Sequence, residues 1–266
     1  MKKIIIVGSG INGLVAANYL IKEGYEVTII ERKEITGGAC IKDSVEIENK
    51  KIDFAYGATV LGMMPDFIFK ERGLINKVDG FYHKTPKLVY FQGEQNSTKI
   101  FQGYNELEKE LSEKWDEKGR ISDFRNDENK VISFIHKLYK EAISPSLELA
   151  NKILGKDLTE LWISGTAKNL LDHYFTSDKT KLYMGMTVIE SGPASIHDPG
   201  TAFTIPLMDS GSVYNGYWGY VKFGIWKITE HLTKINNDLG VKFHLKSSIR
   251  EVNTSSKVVY FTKGNK

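Results

Sequence analysis

Cysteine is almost absent from this 266-residue chain, which contains Cys40 and no other. A single thiol excludes an internal disulfide and a CxxC redox pair, and it is typical of proteins from a reducing compartment. Long hydrophobic runs are also lacking, since no stretch approaches the roughly 18 consecutive apolar residues of a membrane-spanning helix. The apolar run after the initial MKK covers only Ile4–Val7, which is too short for the core of a signal peptide. We therefore expect a cytoplasmic protein.

Concentrated charge of one sign is lacking as well. The formal net charge is +3, and lysines are mixed with acidic residues, as in EKELSEKWDEKGR. A nucleic-acid-binding surface needs clustered basic residues, so we expect no nucleic-acid partner. The six histidines are dispersed, and the sequence contains no HExxH motif and no Ser-His-Asp arrangement. We therefore expect neither a metal site nor a hydrolase triad.

The chain opens with a strand–helix–strand pattern. Ile4–Val7 is a continuous apolar run, as expected of a parallel strand that is covered on both faces. Residues Ile11–Glu23 have helical periodicity, and Gly24 ends the predicted helix. Val27–Ile30 is the second predicted strand. This order predicts the α/β class and a doubly wound, Rossmann-like nucleotide-binding domain.

Three glycines in GxGxxG spacing, Gly8, Gly10 and Gly13, stand between the first strand and the helix. The first permits a tight turn, the second lets the backbone approach a pyrophosphate, and the third allows close packing of the helix on the strand. The first helical turn, with Ile11 and Asn12, presents N–H groups and a positive dipole to phosphates. We therefore predict that this segment binds a dinucleotide.

An acidic residue, Glu31, ends the second strand 18 residues after Gly13. A carboxylate at this position can accept hydrogen bonds from a ribose 2′-hydroxyl and repels a 2′-phosphate. This disfavours NADP and leaves FAD or NAD. The alternative interpretation is a surface glutamate at the end of a strand.

A glycine doublet follows in ERKEITGGAC, where a simple NAD-binding unit would begin another helix. The first glycine loop, Glu31 and this doublet together resemble the FAD-dependent oxidoreductases of the phytoene desaturase and amine oxidase superfamily. The resemblance implies FAD as the cofactor, and it assigns four residues to the pyrophosphate and ribityl chain: Arg32, Gly37, Gly38 and Ala39. The basic residue that usually follows the doublet is absent, because Ala39 and Cys40 stand there.

Other segments carry the same resemblance. KIDFAYGATVLGMMP is similar to the segment that passes beside the flavin, so Tyr56, Gly57 and Ala58 are either flavin neighbours or plain core. HDPGTAF, GYWGYVKFGIWKITEHL and GVKFHLKSSIREV resemble the subgroup of phytoene desaturases, retinol saturases and pyridine nucleotide-disulfide oxidoreductase domain-containing protein 2. By position in this resemblance, the backbone of Ile249 would approach the adenine.

The resemblance also implies a discontinuous FAD-binding domain with an inserted, mainly helical substrate domain. We expect the FAD-binding parts over 1–75 and 206–266 and the inserted domain over 76–205. The sequence predicts a hairpin within 87–101, an irregular stretch over 192–220, and helices near 105–115, 128–142, 146–154, 157–175, 178–190 and 225–239. The last strand, VVYFT, runs into a Gly264–Asn265 turn with no returning strand. We therefore expect an N-terminal half that lacks the segment closing over the flavin, and that holds FAD weakly or not at all by itself.

Three functions follow as hypotheses. The first is an FAD-dependent oxidoreductase that moves hydride between the flavin and an apolar, isoprenoid or lipid-like substrate, with peripheral membrane contact. The second is a flavin amine oxidase, and the third is a non-catalytic carrier of the Rab GDP-dissociation-inhibitor type. The complete glycine fingerprint favours a bound cofactor and so disfavours the carrier. Because a flavin itself supplies the redox step, the sequence identifies no catalytic residue.

Three further features have a functional and a structural interpretation. His197 lies in the Gly/Pro-rich SIHDPGT and could line a pocket, although a turn or surface histidine is favoured. Cys40 could attach a flavin, although a small packed residue is favoured. An aromatic cluster either lines an apolar substrate channel or packs between domains: Tyr214, Tyr217, Trp218 and Tyr220.

Overall fold

The computed structural model describes residues 2–74, 77–82, 87–190, 192–213 and 218–264. The chain divides into two compact units, of which one combines residues 1–82 with 218–266 and the other covers 83–217. The first unit is therefore discontinuous in sequence. The expected inserted domain, 76–205, falls mostly within the second unit, and the assignment of the units to cofactor and substrate stays a prediction.

The secondary-structure elements follow in chain order. The first unit begins with β1 Lys3–Val7, α1 Ile11–Lys22, β2 Glu26–Ile30, β3 Lys42–Ile47, β4 Lys50–Ala55, α2 Asp66–Glu71 and β5 Gly80–Tyr82. The second unit contains β6 Lys87–Val89, β7 Thr98–Ile100, α3 Tyr104–Trp115, α4 Ile121–Glu141, α5 Leu147–Leu154, α6 Lys156–Leu158, a π-helical turn Thr159–Ile163, α7 Ala167–Tyr174, α8 Asp178–Glu190, a 3₁₀ turn Thr201–Phe203 and α9 Thr204–Met208. The first unit resumes with β8 Gly219–Val221, α10 Trp226–Asp238, β9 Lys242–His244, β10 Ser247–Asn253 and β11 Val258–Lys263.

The first unit contains a parallel three-stranded sheet with the strand order β1-β2-β9. Its central strand β2 is apolar, and Val27, Ile29 and Ile30 are buried. Helix α1 packs on the sheet through Leu14 and Ala17, which are fully buried. The predicted strand–helix–strand opening is confirmed, and the third strand comes from a part of the chain more than 200 residues later.

The expectation that the first strand is covered on both faces was wrong. Ile5 is 42% exposed and Val7 is 58% exposed, whereas Ile4 and Ile6 are partly buried. In the described part of the chain β1 is an edge strand that pairs with β2 alone. A continuous apolar run therefore did not imply burial of both faces here.

Four antiparallel pairs complete the strands of the described residues: β3–β4, β5–β8, β6–β7 and β10–β11. The β6–β7 pair confirms the hairpin predicted within 87–101. The β3–β4 hairpin was not predicted, and its turn places Glu48 and Asn49 at positive φ of 50° and 60°. Two consecutive left-handed residues match the twist of a tight hairpin.

The expected unpaired strand at the end of the chain was also wrong. Strand β11 pairs with the preceding strand β10 in antiparallel register, from Ser247 opposite Lys263 to Asn253 opposite Val258. Its hydrogen-bonding partner is therefore the strand before it. The predicted Gly264–Asn265 turn extends beyond the described residues.

The second unit is mainly helical, as predicted, and has an aromatic core. Helix α4 begins at Ile121, seven residues earlier than the predicted 128, because Ile121 and Phe124 continue its buried face. Trp162 and Phe124 are fully buried, and their ring centroids lie 5.0 Å apart.

The single helix predicted over 157–175 was wrong. The chain instead forms α6, the π-helical turn and α7. The break falls at Gly165, where only glycine fits, because a Cβ there would lie 2.4 Å from the carbonyl oxygen of Leu161. Thr166 then starts α7 by accepting a hydrogen bond from the Asn169 N–H at 3.0 Å.

None of the helices in the described residues combines the length and the apolar character required to cross a membrane.

Candidate functional site

The first glycine loop connects β1 to α1. The N–H of Gly8 donates to the carbonyl of Ile30 at 2.8 Å, which fixes the start of the loop on β2. Gly8 has a φ of 93°, a conformation that side chains rarely adopt. Gly10 precedes α1 in an extended conformation and, as a glycine, provides no side-chain cap for the helix. The N–H groups of the first turn are therefore free to bind an anion.

Close backbone contact explains the third glycine of the motif. A Cβ at Gly13 would lie 2.3 Å from the carbonyl oxygen of Gly8 and 3.4 Å from Cγ2 of Ile6. Only glycine lets the helix approach the turn this closely. A Cβ at Gly10, by contrast, would meet only the Cα of Gly38, at 3.8 Å. The space above Gly10 is therefore open, as a pyrophosphate would require.

Glu31 follows the last residue of β2 and is only 8% exposed. Its Oε2 accepts hydrogen bonds from the N–H and the hydroxyl of Ser9, both at 2.8 Å, and its Oε1 accepts one from the N–H of Lys33 at 2.9 Å. Burial acts to raise the pKa of Glu31, but the hydrogen bonds from Lys33 and Ser9 outweigh it and hold the pKa below its ordinary value. The ionised carboxylate keeps one acceptor position on Oε1 for a ribose hydroxyl.

Ser9 was missed in the sequence interpretation, although it is fully buried and links the glycine loop to Glu31. It occupies the variable position between Gly8 and Gly10. The sequence signal that could have indicated its role is a small hydroxyl residue inside the glycine loop, which could donate a hydrogen bond to the carboxylate of Glu31. Its hydrogen bonds fix the Glu31 side chain beside the loop.

The glycine doublet forms a second loop beside the first. The N–H of Gly37 donates to the carbonyl of Ser9 at 2.9 Å, and Gly10 and Gly37 form a parallel bridge. A Cβ at Gly38 would lie 2.8 Å from the Cα of Gly10, and the φ of Gly38 is 63°. Gly38 is thus required for the two backbone segments to lie side by side, whereas a Cβ at Gly37 would lie 2.8 Å from the Ile41 side chain.

Two of the four residues assigned to the pyrophosphate and ribityl chain have exposed side chains. Arg32 directly follows Glu31 and is exposed, and Ala39 is exposed next to Gly38. The carbonyl of Ala39 accepts a hydrogen bond from the N–H of Ala58 at 2.8 Å. A Cβ at Gly57 would lie 2.6 Å from the same oxygen. The predicted flavin neighbours Gly57 and Ala58 therefore lie against the second loop.

Tyr56 has a different environment from the two residues that follow it. Its N–H donates to the carbonyl of Ile41 at 3.1 Å, and its side chain is 64% exposed. The interpretation of Tyr56 as plain core was therefore wrong.

Residues from the C-terminal part of the first unit form hydrogen bonds with the backbone of Glu31. The N–H of Glu31 donates to the carbonyl of His244 at 2.8 Å, and the N–H of Ser247 donates to the carbonyl of Glu31 at 2.9 Å. Ile249 lies two residues further along β10, is partly buried and borders a bulge in the pairing with β11. The fold thus brings the strand of Ile249 beside Glu31.

Two other candidate residues have environments of a structural kind, and the N–H of one of them, Cys40, donates to the carbonyl of Gly37 at 2.9 Å. Cys40 is 7% exposed, its carbonyl accepts a hydrogen bond from the Thr229 hydroxyl, and burial raises the pKa of its thiol. His197 lies in an exposed turn of the second unit, where its N–H donates to the Ser195 hydroxyl. These environments agree with the structural interpretation of both residues.

The aromatic cluster is described only in part. Tyr214 and Tyr217 lie outside the described residues. The ring of Trp218 lies against Gly62, where a Cβ would be 2.5 Å from the indole, and Tyr220 is 42% exposed on β8. Whether these aromatics line a channel stays a prediction.

Comparison with known proteins agrees with this arrangement. The sequence profile of the NAD(P)-binding Rossmann-like domain matches residues 6–67. The chain is 25% identical to a 4,4'-diapophytoene desaturase (4,4'-diaponeurosporene-forming) of Staphylococcus haemolyticus, over 94% of this chain and 49% of that protein. It is also 25% identical to a 1-hydroxycarotenoid 3,4-desaturase of a Flavobacterium species, over 97% of this chain and 53% of that protein. The chain spans about half the length of these curated relatives.

Solved structures share the fold at low sequence identity. An oxidoreductase from Methanosarcina mazei superposes with a TM-score of 0.53 at 18% identity, over 95% of this chain and 53% of that chain. A Rab GDI from Plasmodium falciparum superposes with a TM-score of 0.55 at 13% identity, over 97% of this chain and 61% of that chain.

The fold and the matching profile define a Rossmann-like domain at the start of the chain. The chain is similar to the carotenoid desaturases over nearly its whole length, at 25% identity.

Proposed function

We propose that the chain binds FAD and belongs to an oxidoreductase that moves hydride between the flavin and an apolar, isoprenoid-like substrate. The observation that carries the proposal is the pair of glycine loops joined by the hydrogen bond from Gly37 to Ser9. A single loop suffices for the pyrophosphate of any dinucleotide. The second loop continues the backbone beside Gly10 to Gly38 and Ala39, and a cofactor longer than its pyrophosphate would contact it there.

The residues present fit FAD at two positions. The open space at Gly10 and the uncapped start of α1 suit the two charges of a pyrophosphate. Glu31 is ionised and hydrogen-bonded by Ser9 and Lys33, so its remaining acceptor position is oriented before a ribose binds. When bound, FAD would supply the redox chemistry, since its isoalloxazine ring exchanges hydride with substrates. The chain's own residues would bind the cofactor and orient it.

The substrate class rests on the relatives. Two of them are named as desaturases of a diapophytoene and of a hydroxycarotenoid, which are long and mostly hydrocarbon. Such a substrate dissolves in membranes, so we include peripheral membrane contact in the proposal. The fold itself does not select a substrate, because a Rab GDI has the same fold.

Anaerobic mixing tests the proposal. The purified chain is saturated with FAD and mixed with an acyclic polyene hydrocarbon or, separately, with a diamine. We expect the polyene to bleach the visible absorbance of the flavin and the diamine to leave it unchanged. Bleaching by the diamine alone would replace the proposed substrate class with amines. A protein that takes up no FAD would overturn the proposal and favour the carrier.

A further inference from the structure

The β3–β4 hairpin has one apolar and one polar face. Residues paired across an antiparallel ladder share a face, and the register pairs Val45 with Ile52, Asp43 with Phe54, and Ile47 with Lys50. We call this side the apolar hairpin face, defined by Val45, Ile47, Ile52 and Phe54 with Asp43 and Lys50. Its four apolar side chains are 43% to 51% exposed.

The opposite face of the hairpin is polar and internally bonded. Lys42 forms an ion pair with Asp53, and the Ser44 hydroxyl donates to the same carboxylate at 2.6 Å. Lys42 borders a shallow cavity that Trp226 and Glu230 of α10 also line. The polar face is therefore turned toward α10. A half-buried hairpin ordinarily has the reverse arrangement, with its apolar side toward the protein.

Exposed apolar patches of this kind mark interaction surfaces. The two charged residues on the apolar hairpin face indicate which kind of partner surface would be complementary to it. Asp43 lies at the base of the hairpin on β3, and Lys50 lies at the tip on β4, about 13 Å away for four residues at about 3.3 Å each. Neither side chain forms an ion pair with another described residue.

We propose that the apolar hairpin face binds the same face of a second copy of this chain. In such a dimer the β3–β4 hairpins of the two copies pack face to face about a two-fold axis. Their strands are then antiparallel and cross at roughly 30°, as in aligned sheet packing. The base of one hairpin then lies over the tip of the other. Asp43 of each copy approaches Lys50 of the other, and the apolar residues pack between the two ion pairs. The patch is small, so the dimer is weak and concentration-dependent.

Sedimentation velocity over a concentration series of the full chain tests the surface. The wild type should dimerise reversibly, and Ile52→Thr should raise the dissociation constant about tenfold or more because it removes apolar contact. Val252→Thr is the matched control, since Val252 is 53% exposed on the separate hairpin β10–β11. It should change the constant less than about twofold. A monomeric wild type at high micromolar concentration, or equal effects of both variants, would overturn the proposal.

Charge reversal tests the two-fold arrangement itself. Asp43→Lys alone and Lys50→Asp alone should each weaken the dimer, because like charges then meet at both ends. An equimolar mixture of these two variants should restore dimers, since every contact between unlike copies again joins a lysine and an aspartate. Failure of the mixture to associate more strongly than its components would contradict this packing. Circular dichroism of each variant confirms that the fold is retained.

Discussion

At the residue scale, two buried glutamates have opposite pKa shifts because they face different partners. Glu31 accepts three hydrogen bonds from neutral donors and has a lowered pKa. Glu128, on α4, is 2% exposed and shares one guanidinium, that of Arg125, with Asp209. Its Oε1 has no hydrogen-bond partner among the described residues. Burial raises the pKa of Glu128 to about 7, Arg125 opposes the shift, and Asp209 adds to it.

This arrangement predicts a pH-dependent free energy of unfolding. Because the folded pKa of Glu128 is raised above its ordinary 4.5, the folded state keeps a proton that the unfolded state releases. The stabilisation is fully present below about pH 4.5 and is lost as the pH rises through about 7, by at most about 1.4 kcal/mol per pH unit. Urea denaturation at pH 5.5 and pH 8 should therefore give a free energy of unfolding of the wild type that is about 1–3 kcal/mol higher at pH 5.5.

Glu128→Gln isolates the effect, because the amide cannot ionise. The variant should lose most of this pH dependence, whereas Glu141→Gln should retain it, since Glu141 is an exposed carboxylate of the same helix. Equal pH dependence in the wild type and Glu128→Gln would show that Glu128 is ionised throughout.

At the element scale, α1 is held against its preceding turn by the absence of one side chain. A Cβ at Gly13 would lie 2.3 Å from the carbonyl oxygen of Gly8. Gly13→Ala should therefore displace α1 and lower the free energy of unfolding by about 1–3 kcal/mol, although alanine is the better helix former. Denaturation followed by circular dichroism measures the loss. Asn12→Ala, at an exposed neighbouring position, should leave stability within about 0.5 kcal/mol of the wild type.

The elements that could be predicted from the sequence are those whose spacing of apolar residues is visible within one short segment. Strand β1, helix α1 and strand β2 were located to within one residue, because apolar spacing and glycines mark their limits. Hairpin β3–β4 was missed because its apolar residues are exposed and its turn, Glu48–Asn49, contains no glycine. The break at Gly165 and Thr166 could have been found from the glycine and the capping hydroxyl.

Long-range contacts in the site could not be read from periodicity. The hydrogen bond from Gly37 to Ser9 joins the two glycine loops, and no sequence pattern indicates that these two residues are in contact. The pairing of Ser247 with Glu31 likewise depends on the chain returning after the second unit. Spacing predicted Glu31 and the first glycine motif, and the family resemblance predicted the glycine doublet. Neither predicted Ser9, whose role depends on its buried position.

At the scale of the whole molecule, one unit contains all the residues proposed to bind FAD. Its parallel sheet needs β9 as the neighbour of β2, so residues from both ends of the chain must be present before Glu31 is enclosed. The cofactor region therefore forms as part of the discontinuous unit. The first 75 residues alone would lack His244 and Ser247, which bond to both sides of the Glu31 backbone.

Equilibrium titration of the purified chain with FAD, NAD and NADP tests the central claim most directly. We expect FAD to bind more tightly than NAD, and NADP most weakly, since Glu31 repels a 2′-phosphate. Gly10→Val should weaken FAD binding about tenfold or more by filling the space above the loop, whereas Ala16→Val, on the exposed face of α1, should change it less than about twofold. NADP binding as tight as that of FAD, or an unchanged FAD affinity of Gly10→Val, would contradict the account.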